Sequence, residues 1–388
     1  MRKYVILFII SCSIFLIHFL KVKHGIYGDG NGYYSIAHTL FFQRGLNFAP
    51  IYYSLSHFQG ASYEFSRVFW NTSKTVTGGL NNPWLIGTSL FWLPSFFFIS
   101  ILNFVFNLKL SMFSSFYEIG CGVTGILLVL TGLFFLESYL RHHFDKKISS
   151  YTVLSIFFSS QLFYYASFEP ALSHQVSFFL VCLLLFLTAK KITDPLSAVV
   201  IGLTVGLLSI TRMGDTLLVL PWLLLKFREW VHAKKYTNFI LIVFAFCISL
   251  VPQLLLQWGM YGSAFQNPYL QGEKGTPHLF TLSSIIAHLF SPKGGFLLWS
   301  PLFAAGIFGL MKMRKSQFFL IILILFTLLI SSWESQVPAG FGNRFFISAI
   351  PLMAPGVAYL FKNYEKRLLI FSTLCFLWNI FLLTRFYF

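Results

Sequence analysis

The chain has 388 residues, 56% of them hydrophobic and only 10% charged, with a formal net charge of +16. Soluble domains carry roughly 25% charged residues, so this composition excludes a water-soluble globular protein, and the lack of strand-like alternation excludes a membrane β-barrel. Lys and Arg fall in short clusters between apolar runs, the pattern that sets membrane topology, so the positive charge is no pointer to nucleic acid.

In chain order, apolar runs occupy 4–20, 84–107, 115–136, 148–168, 171–189, 195–211, 214–226, 237–258, 296–311, 317–333, 345–361 and 367–386. Runs of this kind approach the ~20 residues that a helical span needs. The sequence therefore predicts an all-α fold, a polytopic transmembrane helix bundle of about eleven or twelve membrane helices, forming one integral membrane domain over 1–388. The first run passes through "IISC" at 9–12, which is similar to a lipoprotein cleavage site, and continues to Leu20. A retained first span is expected rather than a cleaved signal.

Basic clusters punctuate the runs: "MRK" at the start, "RHHFDKK" (141–147), "KK" (190–191), "KFREWVHAKK" (226–235), "KMRK" (312–315) and "KNYEKR" (362–367). The positive-inside rule assigns all of them, and the N-terminus, to the cytoplasmic side of the plasma membrane. Two full crossings at 84–107 and 115–136 would put "RHHFDKK" on the wrong side. The run 84–107, broken by Pro94, is thus expected to be re-entrant or partly interfacial, with a full crossing and one violated loop as the alternative.

The longest polar segments, 24–83 and 259–295, then fall on the outer side. Each holds an amphipathic stretch. In 33–44, Tyr33, Ile36, Ala37, Leu40 and Phe41 share one face, with Ser35, His38, Thr39 and Gln43 opposite. In 281–290, Leu282, Ile285, Ile286, Leu289 and Phe290 repeat that spacing. Such short helices lie in the membrane surface or pack on the bundle, and the spacing serves both arrangements. Cys12, Cys121, Cys182, Cys247 and Cys375 all stand inside apolar runs with no CxxC, so they read as small buried hydrophobes and not as a disulfide framework.

Chemistry is sought among the outer polar groups, which include Asp29, Glu64, Glu169, His174, Arg212, Asp215, Glu273, Lys274, His278, His288, Lys293, Glu334 and Arg344. Polar groups at the membrane boundary are costly unless paired or hydrated. Asp29 stands in "GDGNGYY" (28–34), among three glycines that permit a tight turn and close approach of another molecule. It is placed either to cap the following helix or to act as a general base. Arg344 closes "AGFGNRFF" (339–346), where a guanidinium grips a phosphate or reaches to lipid headgroups. Lys293, in "LFSPKGGFLLWSP" (289–301), offers the same two uses. "EPALSH" (169–174) sets Glu169 and His174 at one outer turn. No metal-ligand spacing, nucleophile elbow or Walker motif is present, so neither a metal nor another cofactor is expected.

"GDGNGYYSIAHTLFFQRGLNF", "NPWLIGTSLFWLP" and "FEPALSHQVSFFL" together resemble membrane-embedded glycosyltransferases of the GT-C superfamily, such as the protein O-mannosyltransferases and lipid A aminoarabinose transferases. "YGSAFQ", "LFSPKGGFLLWSP" and "GFGNRFFISAIPLM" are similar to segments of bacterial members. The resemblance implies inverting transfer of a sugar from a polyprenyl phosphate to an acceptor hydroxyl on a glycan, lipid or protein, outside the cytoplasm. It implies that Asp29 is the catalytic carboxylate and Glu169 the second acidic position. Arg344 and Lys293 are expected to hold the donor phosphate, with Tyr33 and His174 completing the substrate-binding set. No acidic residue follows Asp29 closely, so Asp-x-Asp metal binding is not supported there. The competing expectations are a lipid-linked sugar flippase and a non-catalytic envelope-glycan assembly protein. No inverted repeat, common in transporters, is evident, and the expected features are one-sided.

Overall fold

The computed structural model describes residues 2–43, 45–58, 74–189, 194–219, 223, 236–266, 280–313, 316–333 and 340–387. Glu64, Glu273, Lys274, His278, Glu334, "KK" at 190–191 and the basic stretch 226–235 lie outside the described residues.

Fifteen helices follow one another in the described residues: α1 (Arg2–Val22), α2 (Gly30–His38), α3 (Ala49–Phe58), α4 (Gly87–Phe106), α5 (Phe116–Leu140), α6 (Lys146–Phe158), α7 (Leu162–Ser167), α8 (Ser173–Ala189), α9 (Pro195–Thr211), α10 (Tyr236–Tyr261), α11 (Leu282–Phe290), α12 (Phe296–Trp299), α13 (Leu302–Lys312), α14 (Gln317–Trp333) and α15 (Ile350–Tyr387). Short 3-10 turns run over Met213–Leu218 and Arg344–Ala349, and a π turn over Thr39–Gln43. Among the described residues the only β feature is an isolated bridge between Lys74 and Leu80. Helix starts obey local rules. Asp145 accepts from Ile148 N at 2.8 Å to cap α6, and Asp194 does the same for Ser197 N in α9, where Pro195 takes the first position.

The chain is an all-α polytopic bundle, as its composition requires. Among the described residues, five segments are long and apolar enough to cross a membrane: α1, α4, α5, α10 and Arg344–Phe386. Shorter apolar helices α8, α9, α13 and α14 join them. Outward faces are apolar: Ile6, Ile9 and Ile17 on α1, Ile240 and Phe244 on α10, and Ile370 and Leu374 on α15 are all exposed. Such faces suit lipid, not water.

Ion pairs and hydrogen bonds fix which helix ends meet. Lys3 Nζ lies 2.6 Å from Glu137 Oε2, and Arg141 pairs with the other oxygen of that carboxylate. At the far ends of the same helices, Glu118 accepts from Gly25 N at 2.8 Å. Thus α1 and α5 are antiparallel, and "MRK" and "RHHFDKK" share one end of the bundle. "KNYEKR" joins them, since Lys147 Nζ is 2.6 Å from Glu365 Oε1. There α15 bends at Tyr364 (φ −141°, ψ 43°), so its two halves form a hairpin.

The helix α4 packs against the end of α9 and the start of α5. Its first residue, Gly87, abuts Ile210 and Thr211 at the end of α9. Ser95 and Ile99 abut Gly120, and Ser100 meets the Tyr117 hydroxyl at 3.1 Å, both near the start of α5. These contacts lie toward the end opposite Lys3 and Glu137. The apolar run 148–168 is also broken: α6 stops at Phe158 and α7 restarts at Leu162, with Ser159, Ser160 and Gln161 buried between. Asn379 Nδ2 ties this break to α15, donating to the Phe158 and Ser160 carbonyls.

The two amphipathic stretches differ. In α2 every residue from Gly30 to His38 is buried, the polar face included. His38 Nε2 lies 3.0 Å from Met112 O and its ring stacks on Phe113. So α2 is packed into the bundle, over an aromatic layer of Trp92, Phe96 and Tyr117. In α11 it is Ser284 and His288 that are buried, while Leu282, Ile286 and Phe290 are exposed. That helix turns its apolar stripe outward, as a helix against lipid does.

Candidate active site

The turn between α1 and α2 places Asp29. Glu118 holds Gly25, Gly28 adopts φ +48°, and α2 begins at Gly30. Asp29 occupies the N-cap position, yet its side chain makes no capping bond. Instead Asp29 Oδ2 accepts from Arg344 Nη2 at 2.7 Å, across 315 residues of sequence. Of the two uses that the sequence left open, capping is ruled out by this geometry.

A polar web fixes Arg344. Asn343 Oδ1 accepts from Phe345 N at 3.3 Å to start the 3-10 turn. Asn343 Nδ2 lies 2.8 Å from His288 Nδ1, and Gln161 Nε2 donates to Asn343 O at 2.7 Å. Ser300 Oγ donates in turn to Gln161 Oε1 at 3.1 Å. The break between α6 and α7 therefore has a use: it supplies Gln161. The Arg344 side chain is 15% exposed and that of Asp29 39% exposed. Arg344 Nε is buried without a hydrogen bond to any described residue. Nη1 lies between Gly28 and Gly340 (φ +128°), where an added Cβ on either would stand 3.9 Å away. A side chain at Gly340 would also collide with the Tyr165 hydroxyl, at 2.8 Å.

Glu169 lies in the turn between α7 and α8. Its Oε1 accepts from the Tyr164 hydroxyl at 2.7 Å, and Gln175 Nε2 holds its backbone carbonyl at 2.8 Å. Burial raises the Glu169 pKa, while Tyr164 and the charge of Arg344 oppose that rise. Tyr33 is buried against Trp92, with its hydroxyl beside Ser173. Burial, and then the negative charge of Asp29, push the phenol up to about 12, so it stays a proton donor at neutral pH. His174, at the start of α8, is 1% exposed and its Nε2 is 3.5 Å from Arg212 Nη1.

The structure thus gathers Asp29, Arg344, Glu169, Tyr33 and His174 at one end of the bundle. Lys293 is not in contact with them. It is exposed in the turn between α11 and α12, and it forms no ion pair among the described residues. The turn connects to the site through Trp299, which donates to Pro292 O at 3.0 Å and packs edge-on against Phe341. Arg212 and Asp215, 3.1 Å apart, belong to the cluster although neither was assigned a role from sequence. Their signal was "TRMGD", an Arg and an Asp three apart at the end of an apolar run. No His, Cys, Asp or Glu grouping among the described residues suits a metal ion.

No protein-family model, curated protein or solved structure matches this chain. The case for a function therefore rests on the site itself.

Proposed function

We propose that the protein is an inverting glycosyltransferase that takes a sugar from a polyprenyl phosphate at the extracytoplasmic face of the plasma membrane. One observation carries this reading: a partly exposed carboxylate, Asp29, held 2.7 Å from a mostly buried guanidinium, Arg344, at one end of a lipid-exposed helix bundle. That pair combines a base with an anion holder, the two groups such a transfer needs.

In the reaction, Asp29 removes the proton from the acceptor hydroxyl as its oxygen bonds to the anomeric carbon. The bond from that carbon to the phosphate oxygen breaks on the opposite face, and the lipid phosphate leaves with the electron pair. Arg344 Nε and Nη1 hold the developing charge. Phosphate is a good leaving group and needs no general acid, so one carboxylate suffices. Glu169 and Tyr33 orient the acceptor and the sugar. The basic end with Lys3, Arg141 and Lys147 faces the cytoplasm in this reading.

The test is sugar transfer from polyprenyl-phosphate sugars by the purified protein and its Asp29→Asn variant. Undiminished transfer by a folded variant would remove the general-base role. Transport of lipid-linked sugar by reconstituted protein, with no transfer to any acceptor, would replace the proposal with a flippase.

A further inference from the structure

Arg212 has no part in the reaction above, yet it is built as a binding group. It closes α9, and its Nε donates to Asp215 Oδ2 at 3.1 Å. Asp215 is almost fully buried beside Ser177 and Ser348, so it stands behind the guanidinium and fixes its plane. Nη1 makes two long contacts, 3.4 Å to Ser173 Oγ and 3.5 Å to His174 Nε2. Nη2 carries no hydrogen bond to a described residue, and the side chain is 19% exposed. The guanidinium carbon lies 5.2 Å from the ring centre of Phe345, the residue after Arg344. His174 Nδ1 is buried and also has no partner among the described residues. Tyr33 links the arginines, since it feels the charges of Asp29, Arg212 and Arg344 while its hydroxyl lies beside Ser173.

Arg212 lies over Phe345, so the two guanidinium groups meet one short turn, each steadied by a carboxylate and each with donors that no described residue takes. A single phosphate needs only one such fork. We propose that Arg212, with Ser173 and His174 at the start of α8, forms a second phosphate subsite beside Arg344, so that the site takes two phosphate groups. This rests on the reading of Arg344 as the donor-phosphate residue. The second phosphate belongs either to a diphosphate-linked donor or to a phosphate-bearing acceptor.

Binding separates these sources without any need for turnover. Polyprenyl monophosphate, polyprenyl diphosphate and inorganic phosphate are titrated into the full chain purified in detergent. Arg212→Gln alone strands the buried Asp215, so the main variant is Arg212→Gln/Asp215→Asn, with its melting temperature as a check on folding. Arg212→Lys, which keeps the ion pair and loses the fork, is the second. A diphosphate donor predicts that the diphosphate binds about tenfold tighter than the monophosphate, and that both variants erase this advantage while leaving monophosphate binding unchanged. A phosphate-bearing acceptor predicts no such advantage, but Arg212-dependent binding of inorganic phosphate to protein saturated with the monophosphate. If neither the diphosphate nor inorganic phosphate shows Arg212-dependent binding, the subsite is overturned while the role of Arg344 stands. If inorganic phosphate binds through Arg212 but the lipid monophosphate does not bind at all, Arg212 holds a phosphate on its own, and the glycosyl-transfer reading falls together with the two-phosphate site.

Discussion

Glu137 at one end of the bundle and Asp29 at the other both meet an arginine, but they are held in opposite ways. Glu137 is 2% exposed and accepts from Lys3, Tyr4 and Arg141, so its lone pairs are occupied. Asp29 is 39% exposed and has one charged partner among the described residues, which itself keeps donors that none of them takes. A saturated carboxylate pins α1 to α5. An unsaturated one, in a turn fixed by other groups, is the one that the proposed function uses as a base. Counting partners thus separates the two ion pairs without appeal to either residue's type.

The largest expected effect tests the open end. Asp29→Asn should lower the transfer rate about a thousandfold, the scale of a lost general base, with little change in melting temperature. A comparable loss of stability would make Asp29 another Glu137. At the closed end, Glu137→Ala should cost about 3 kcal/mol of stability, because it leaves cations without their shared partner. The folded fraction should keep its turnover number, and a drop in turnover would join the two ends functionally.

Acid should loosen the open end first. Burial pushes the His38 pKa down to about 4, below its ordinary value, with Met112 O opposing the shift. A depressed histidine contributes stability that is present above its unfolded pKa of about 6.5 and lost as the pH falls through that value toward 4. The full effect is about 3 kcal/mol. Amide protection factors in α2 should therefore fall between pH 6.5 and 4, before those at the Lys3 end, and His38→Gln should flatten the response. An unchanged slope in the variant would assign it elsewhere. The smallest effect is expected from Gly28→Ala. Its positive φ costs about 1 kcal/mol for a residue with a side chain, and the added methyl stands 3.9 Å from Arg344 Nη1 without a clash. Transfer should fall only a few-fold.

Much of the bundle was legible because lipid demands long apolar runs, and the basic clusters correctly grouped "MRK", "RHHFDKK" and "KNYEKR" at one end. Pro94 and the charge count suggested a re-entrant or interfacial run at 84–107, and α4 is also long and apolar enough for the full crossing that was the alternative. What periodicity does not carry is the cover of a polar face. His38 and Ser35 look solvent-facing in sequence, but Met112 and Phe113 arrive from a distant segment to bury His38. The same holds for the site. Asp29, Arg344, Glu169, Tyr33 and His174 were found one by one from residue type and boundary position. Their meeting, the exclusion of Lys293 and the entry of Arg212 depend on helix packing that no local motif encodes.

The 315 residues between Asp29 and Arg344 also have a consequence for biosynthesis. Asp29 follows α1, while Arg344 precedes the hairpin of α15. During synthesis the carboxylate reaches the membrane long before its partner exists, and long-range contacts of this kind form late. A chain halted after α14 would lack Arg344 altogether. The Asp29–Arg344 pair therefore forms only once α14 has been made, and on the proposed function a shorter chain would not hold lipid phosphates.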